Sequence, residues 1–212
     1  MGCDLRRPTV THEGVVEALP ATATTVDVTV CIGTYGTPAW AKLAAERAMP
    51  SAYAQDCEVI LTHAATLASA RNACAKVAAS EWLIFLDADD SLEPGYVSTM
   101  AAGTADMRAP ALFEQHADGH RMRVNVESRD IERLNPCAIG TAVRRDAFID
   151  AGGFPDQFSA YEDYALYLRL HRRGATLEHV ENAIYTQHVS PDSRNRTISR
   201  PRELARAIRE WA

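Results

Sequence analysis

The sequence lacks the patterns that mark several common protein classes. Its 212 residues contain five widely spaced cysteines and no Cys-x-x-Cys pair, so neither a zinc site nor a disulfide framework is indicated. No apolar run approaches the length of a membrane span, and residues 1–7 contain no apolar segment of the kind found in signal peptides. We therefore expect a cytoplasmic protein without a membrane span.

Two nucleotide-binding signatures are also missing. Neither a Gly-x-Gly-x-x-Gly segment nor a Walker loop occurs, which argues against dinucleotide oxidoreductases and P-loop enzymes. The formal net charge of -6 does not favour general nucleic-acid binding. The hydrophobic content of 47% allows a sizeable core, and no repeat or low-complexity linker divides the chain.

The stretch Trp82–Asp90 is the most informative part of the chain. Five large apolar residues run into Asp87, Asp89 and Asp90, as expected of a buried strand that ends at a ligand crevice. Alternating Asp87 and Asp89 can point into the same crevice, where a hard divalent cation would find oxygen ligands. The alternative is an Asp-rich turn that caps the next helix.

The first half of the chain alternates strands and helices at short spacing, which predicts a parallel sheet with helices on its faces. The predicted strands are 26–32, 57–62 and 82–86, and the predicted helices are 38–49 and 66–79.

The second half is predicted to be mixed. We expect strands at 107–113 and 122–126, a short strand within 135–143 and one or two strand pieces within 176–185. The expected helices are 94–102, 146–151, 162–173 and 201–211. Gly140 falls inside one predicted strand and indicates either close approach by a ligand or a simple bulge.

Three segments together resemble family 2 glycosyltransferases, which have the GT-A fold. They are residues 28–35, Arg71-Asn72 followed by the Asp-x-Asp of the third strand, and Gly152-Gly153-Phe154 followed by Glu162-Asp163. The chain departs from the family pattern at Gly33 and Gly36. It also has Thr62-His63-Ala64 where an acid-rich turn usually helps hold the nucleotide base.

The resemblance implies an α/β fold of the GT-A, Rossmann-like type: a mostly parallel central sheet flanked by helices, with a mixed acceptor-side half. It implies one domain over 26–190, with a nucleotide-sugar half at about 26–103 and an acceptor half at about 104–190. Residues 1–25 would form an N-terminal arm, and residues 191–212 a basic C-terminal tail and helix.

The implied reaction is an inverting, hexosyltransferase-type sugar transfer from a nucleoside diphosphate sugar, with a UDP-sugar as the first choice. The acceptor would be a hydroxyl of a glycan, a protein or a modified nucleic acid. Because the leaving diphosphate gains negative charge, Mn²⁺ or Mg²⁺ is expected as cofactor.

The resemblance also implies roles for individual residues. Asp163 is the expected catalytic base, with Glu162 beside it, and the alternative is that either carboxylate caps the helix that follows. Asp89 and His188 are the candidate metal ligands, although His188 could equally be a solvated loop residue. The candidate donor-binding residues are Thr34, Tyr35, Arg71, Asp87, Ala88 and Arg194, and the acceptor-side candidates are Gly140 and Gly153.

Two other functions stay open at this point. A nucleotidyltransferase could share the acidic sheet edge, but residues 33–38 contain no Lys or Arg to activate a triphosphate. A non-catalytic nucleotide-sugar or glycan-binding protein is the third possibility. The basic tail that contains Arg194 could be a solvated face, could cover a donor diphosphate or could attract an anionic acceptor.

Overall fold

The computed structural model describes residues 16–19, 27–125, 129–158, 160–189 and 201–212. The described strands are β1 Val16–Leu19, β2 Val28–Tyr35, β3 Glu58–Ala64, β4 Trp82–Leu86, β5 Ser91–Leu92, β6 Met107–His116, β7 Arg121–Arg123, β8 Ala142–Arg144 and β9 Leu177–Val189. The described helices are α1 Pro38–Glu46, α2 Ala48–Tyr53, α3 Leu67–Val77, α4 Tyr96–Ala101, α5 Arg145–Asp150, α6 Glu162–Arg172 and α7 Pro201–Trp211.

The strands form one sheet in the order β1-β3-β2-β4-β8-β6-β9-β5, with β7 paired to β6. The three longest ladders, β2 with β3, β2 with β4 and β6 with β9, are parallel. The ladders that β8 makes with β4 and β6 are antiparallel and join the two halves of the sheet. The predicted mostly parallel sheet with a mixed second half is therefore confirmed.

Strand β4 lies near the middle of the sheet, between β2 and β8, and all five of its residues are buried. Its side chains alternate between two cores: Leu83 and Phe85 point into one, and Trp82, Ile84 and Leu86 into the other. Helices α3, α5, α6 and α7 contribute to the first core, and α1, α2 and α4 to the second. Burial on both faces explains why β4 reads as a continuous apolar run.

The predicted helix 38–49 is broken at Arg47, so the prediction of one continuous helix was wrong. Helix α1 ends at Glu46, and α2 starts at Ala48. Pro50 has no N–H to donate to the carbonyl one turn earlier, so a single helix through this point would be disrupted. At the break, the Arg47 Nη1 donates to the carbonyl oxygen of Asp89 at 2.8 Å.

Two predicted strands of the second half have other bounds. The short strand predicted within 135–143 is β8, which spans Ala142–Arg144. Gly140 lies in the turn that precedes it. Strand β9 continues beyond the predicted end at residue 185 to Val189, because it pairs with β6 from Leu177 to Val180 and from Ile184 to Val189, and also with β5. His188 therefore lies in a strand and not in a polar loop.

Both ends of the chain contain secondary structure where they are described. Strand β1 pairs antiparallel with β3 at the edge of the sheet, and the rest of the predicted arm 1–25 lies outside the described residues. In α7, Ile208 is fully buried in the first core. Among the described residues, no helix combines the length and apolar character that a membrane crossing requires.

Candidate active site

Three carboxylates meet where β4 ends. Oxygen atoms of Asp87, Asp89 and Asp90 lie within 4.8 Å of one another. Asp87 and Asp89 are partly exposed, whereas Asp90 is buried. Three negative charges in so small a space repel one another, and carboxylate oxygens are the ligands that hard divalent cations prefer. The cluster could therefore hold a divalent ion.

Asp90 fastens this cluster to β9. The Tyr185 hydroxyl donates to one carboxylate oxygen of Asp90 at 2.8 Å, and the His188 backbone N–H donates to the other at 2.9 Å. Burial, together with repulsion from Asp87 and Asp89, raises the pKa of Asp90 well above its ordinary value. The Tyr185 hydroxyl also accepts a hydrogen bond from the Asp87 backbone N–H at 3.2 Å. One tyrosine thus holds both ends of the acidic turn.

The His188 imidazole lies beside the cluster without belonging to the group of mutually close ligand atoms. Its Nε2 is 3.2 Å from the Ser91 hydroxyl. Partial burial and the nearby Arg47 lower its pKa. A neutral ring nitrogen is the form that binds a metal. The structure therefore places His188 at the edge of the acidic cluster, and its role as a ligand stays a prediction.

Arg71 connects the acidic turn to the start of α6. Its guanidinium, only 2% exposed, pairs with Asp87 through Nη2 and with Glu162 through Nη1, the latter at 2.9 Å. Burial alone would lower the pKa of Arg71, but the two carboxylates together raise it above its ordinary value. Gly33 makes room for this side chain, since a Cβ there would lie 2.9 Å from the Arg71 Cγ.

The first two residues of α6 lie in different environments. Glu162 is 3% exposed and faces Arg71. Asp163 is only partly buried, and its Oδ2 accepts a hydrogen bond from the Asn135 side-chain amide at 3.2 Å. The N-cap of α6 is Tyr161, with φ near +60° and no side-chain capping bond. Neither Glu162 nor Asp163 is therefore the N-cap of α6, which was the alternative to a catalytic role.

The family assignment rests on more than half of the chain. The model of the family described as "Glycosyl transferase family 2" matches residues 34–148, from the end of β2 to the middle of α5. The chain belongs to glycosyl transferase family 2. The predicted family is confirmed. No curated protein matches the chain.

Solved structures of TarS from S. aureus are similar to this family 2 chain in fold. TarS 1-349 in complex with UDP-GlcNAc has a TM-score of 0.64 and 14% identity, covering 85% of this chain and 65% of that one. TarS 1-349 alone gives a TM-score of 0.59 and 14% identity, covering 76% and 60%. The chain thus spans less than two thirds of the length of these structures. The match confirms the predicted GT-A fold.

The Gly152-Gly153-Phe154 turn is held by helix α3. The Asn72 side chain donates to the Phe154 carbonyl oxygen and accepts from the Phe154 N–H, both at 2.9 Å. Gly153 has a φ of +71°, and a Cβ there would lie 2.5 Å from the Asn72 Oδ1. A glycine is needed because the turn must pass directly against Asn72. Gly153 stays a predicted acceptor-side residue, and this packing is the contact that the structure gives it.

Other predicted site residues lie around β2 and β4. The Thr34 side chain is buried and donates to the Thr62 carbonyl oxygen at 3.1 Å, so its hydroxyl joins β2 to β3. Tyr35 ends β2 and is partly exposed, and Ala88 is buried within the acidic turn. Arg194 lies outside the described residues. The donor-binding roles of these residues stay predictions.

At Gly140 the close approach comes from two tyrosines of the protein itself. A Cβ there would lie 2.6 Å from the Tyr96 hydroxyl and 2.9 Å from Cε2 of Tyr185. The Tyr96 hydroxyl donates to the Gly140 carbonyl oxygen at 2.7 Å. Gly140 lies in a turn and not inside a strand, and the packing of these tyrosines accounts for the glycine. Its acceptor-side role stays a prediction.

Sequence reasoning missed three residues of this site: Arg47, Asn135 and Tyr185. Arg47 reaches the acidic turn because of the helix break that Pro50 signals. Asn135 precedes a proline, where a turn is favoured, and its Oδ1 accepts from the Cys137 N–H at 3.1 Å. Tyr185 carried no signal, since a lone tyrosine in a strand is typical core.

Proposed function

We propose that the protein is an inverting, metal-dependent glycosyltransferase that moves a sugar from a nucleoside diphosphate sugar to an acceptor hydroxyl. The observation that carries the proposal is the bridge made by Arg71. It joins the acidic turn, suited to a donor diphosphate with its cation, to the helix that presents Asp163. Donor and acceptor machinery are thereby held in one rigid arrangement.

The acidic turn fits a divalent cation by the chemistry of its donor set. Asp87 and Asp89 are partly exposed and would supply ligand oxygens, while Asp90, fixed by Tyr185, keeps the turn in shape. When bound, Mn²⁺ or Mg²⁺ would offset the negative charge that the diphosphate gains as it leaves. A UDP-sugar is the first donor to test, since solved TarS structures are complexes with UDP and with UDP-GlcNAc.

Asp163 would act as general base. Its carboxylate would take the proton of the acceptor hydroxyl while that oxygen forms a bond to the anomeric carbon and the bond from this carbon to the diphosphate oxygen breaks. One displacement of this kind inverts the anomeric centre. Asn135 would hold the carboxylate in place through its 3.2 Å hydrogen bond, and Glu162 would act by fixing Arg71.

The test combines binding and turnover. We expect UDP, GDP or CDP to bind the wild-type protein more tightly with Mn²⁺ or Mg²⁺ than with EDTA, and Asp89→Ala to abolish the difference. Asp118→Asn, in the exposed turn between β6 and β7, is the matched control and should keep it. Release of nucleoside diphosphate from a panel of nucleotide sugars then identifies the donor. Equal nucleotide affinity with and without metal in the wild type would contradict the metal dependence.

A further inference from the structure

A cavity with a volume of about 670 Å³ lies next to Asp163, outside the acidic turn. Its walls come from β6, from the loop that carries Asn135 and from the start of α6, and α7 closes one side. Its volume is in the range of small-molecule sites. Asn135 lines the cavity and donates to Asp163, so the predicted base is one side chain away from the enclosed space.

The charge of this lining is of one sign. Among the described residues, three arginines, Arg133, Arg202 and Arg209, line the cavity, and no aspartate or glutamate does. This is unusual for a chain whose formal net charge is -6. The remaining lining is largely apolar and includes Leu112 of β6 and Ala205 of α7. A carbon skeleton could pack on such walls while the guanidinium groups contact an anion.

Among the described residues, these three arginines make no salt bridge. Glu132 and Glu210, adjacent in sequence to Arg133 and Arg209, form their salt bridges with Arg172 and Arg206. Glu132 still offsets part of the charge of Arg209, since Arg209 helps to lower the pKa of Glu132. Like charges gathered around one space repel one another, and a bound anion would relieve this repulsion.

We infer that this cavity binds the acceptor, and that the acceptor carries a phosphate or carboxylate group near the hydroxyl that receives the sugar. The assignment of the ligand as the acceptor rests on the proposed transfer function, and the assignment of its negative charge rests on the arginine lining. Arginine binds both anions in a bidentate manner, so either group satisfies the geometry. The hydroxyl would point towards Asp163, and the anion towards α7.

Binding without donor tests the charge preference directly. Glucose 6-phosphate and glucuronate are the anionic probes, glucose is the neutral one, and affinity is measured by calorimetry at low salt. We expect the wild-type protein to bind at least one anionic probe about tenfold or more tightly than glucose. We expect Arg202→Gln to reduce this preference and the triple Arg→Gln change at 133, 202 and 209 to remove it.

Arg206→Gln is the matched control. It removes the same charge from the same helix, but Arg206 is exposed, pairs with Glu210 and does not line the cavity. The preference should survive in this variant and weaken with added salt in the wild type. Equal affinity of the wild-type protein for all three probes, or equal loss in Arg206→Gln, would overturn the inference.

Nucleoside diphosphate release from donor is measured in parallel and separates the two proposals. Selective anion binding without any sugar transfer to the anionic probes would overturn the assignment as acceptor site. Sugar transfer with no preference between anionic and neutral acceptors would overturn the anionic acceptor and leave the transfer function standing.

Discussion

At the scale of single residues, neighbouring carboxylates at the start of α6 have separate tasks. Glu162 is buried against Arg71, and Asp163 is partly exposed beside Asn135. Successive helical side chains point about 100° apart, which lets Glu162 face the core while Asp163 lies beside Asn135. The pair that reads as one motif in the sequence therefore divides into a positioning residue and a candidate base.

This division predicts different phenotypes for two conservative changes. Asp163→Asn should lower sugar transfer by about 10²–10⁴-fold, because it removes the base, while melting and metal-dependent nucleotide binding change little. Glu162→Gln should mainly lower stability, by about 1–3 kcal/mol, because a charged hydrogen bond to buried Arg71 is weakened. Turnover and thermal melting of each variant check both.

Asp146→Asn is the control for these variants. Asp146 is also an acid in the first turn of a helix, but its side chain is 96% exposed and lies in α5. It should leave both transfer and melting unchanged. Transfer at the wild-type rate in Asp163→Asn would mean that the base lies elsewhere.

At the scale of elements, the acidic turn is held in place by contacts between distant strands and loops. The Tyr185 ring on β9 passes directly over Gly140, and its hydroxyl binds Asp90 and the Asp87 N–H. The turn before β8 and the end of β4 are thus connected through one side chain. A substitution that displaces the Tyr185 ring should therefore disturb Asp87 and Asp90 without contacting either residue.

Gly140→Ala tests this connection. The added Cβ would overlap Tyr185 and the Tyr96 hydroxyl, so we expect destabilisation of about 1–3 kcal/mol and a weaker effect of Mn²⁺ on nucleotide binding. Gly119→Ala is the control for the metal effect, because its Cβ would meet nothing within 4 Å; its φ of +88° means that this change also lowers stability, but it should leave the effect of Mn²⁺ on nucleotide binding unchanged. Chemical unfolding and nucleotide titration provide the readouts. Unchanged metal dependence in Gly140→Ala would show that the turn keeps its shape without Tyr185.

The sequence predicted elements whose signals are local, and missed contacts that link distant segments. The apolar run of β4 and the order of strands and helices were readable. The Arg71–Glu162 pair joins positions 91 residues apart and could not be read. The extension of β9 depended on its ladder with β6, which no local pattern announces.

At the scale of the whole molecule, α7 belongs to the same packed body as the sheet. Trp211 stacks on the Arg169 guanidinium at 3.5 Å and meets the Phe158 ring edge-on at 5.2 Å. The Arg172 side chain donates to the Arg209 carbonyl oxygen at 2.7 Å. The sequence placed this helix in a separate basic tail. Its contacts with α6 instead make it a wall of the cavity beside Asp163.

Ile208→Ala tests whether α7 unfolds together with the rest of the domain. Ile208 is fully buried, so truncating it should lower the free energy of unfolding by about 2–5 kcal/mol in one cooperative transition. Ile149→Ala is the control, since Ile149 is 43% exposed and should cost much less. Urea unfolding followed by tryptophan fluorescence and by circular dichroism gives both values. If Ile208→Ala costs no more than Ile149→Ala, or if the two probes give separate transitions, then α7 detaches before the domain unfolds. In that case the cavity has a movable wall, and the acceptor would bind to a site that α7 completes only part of the time.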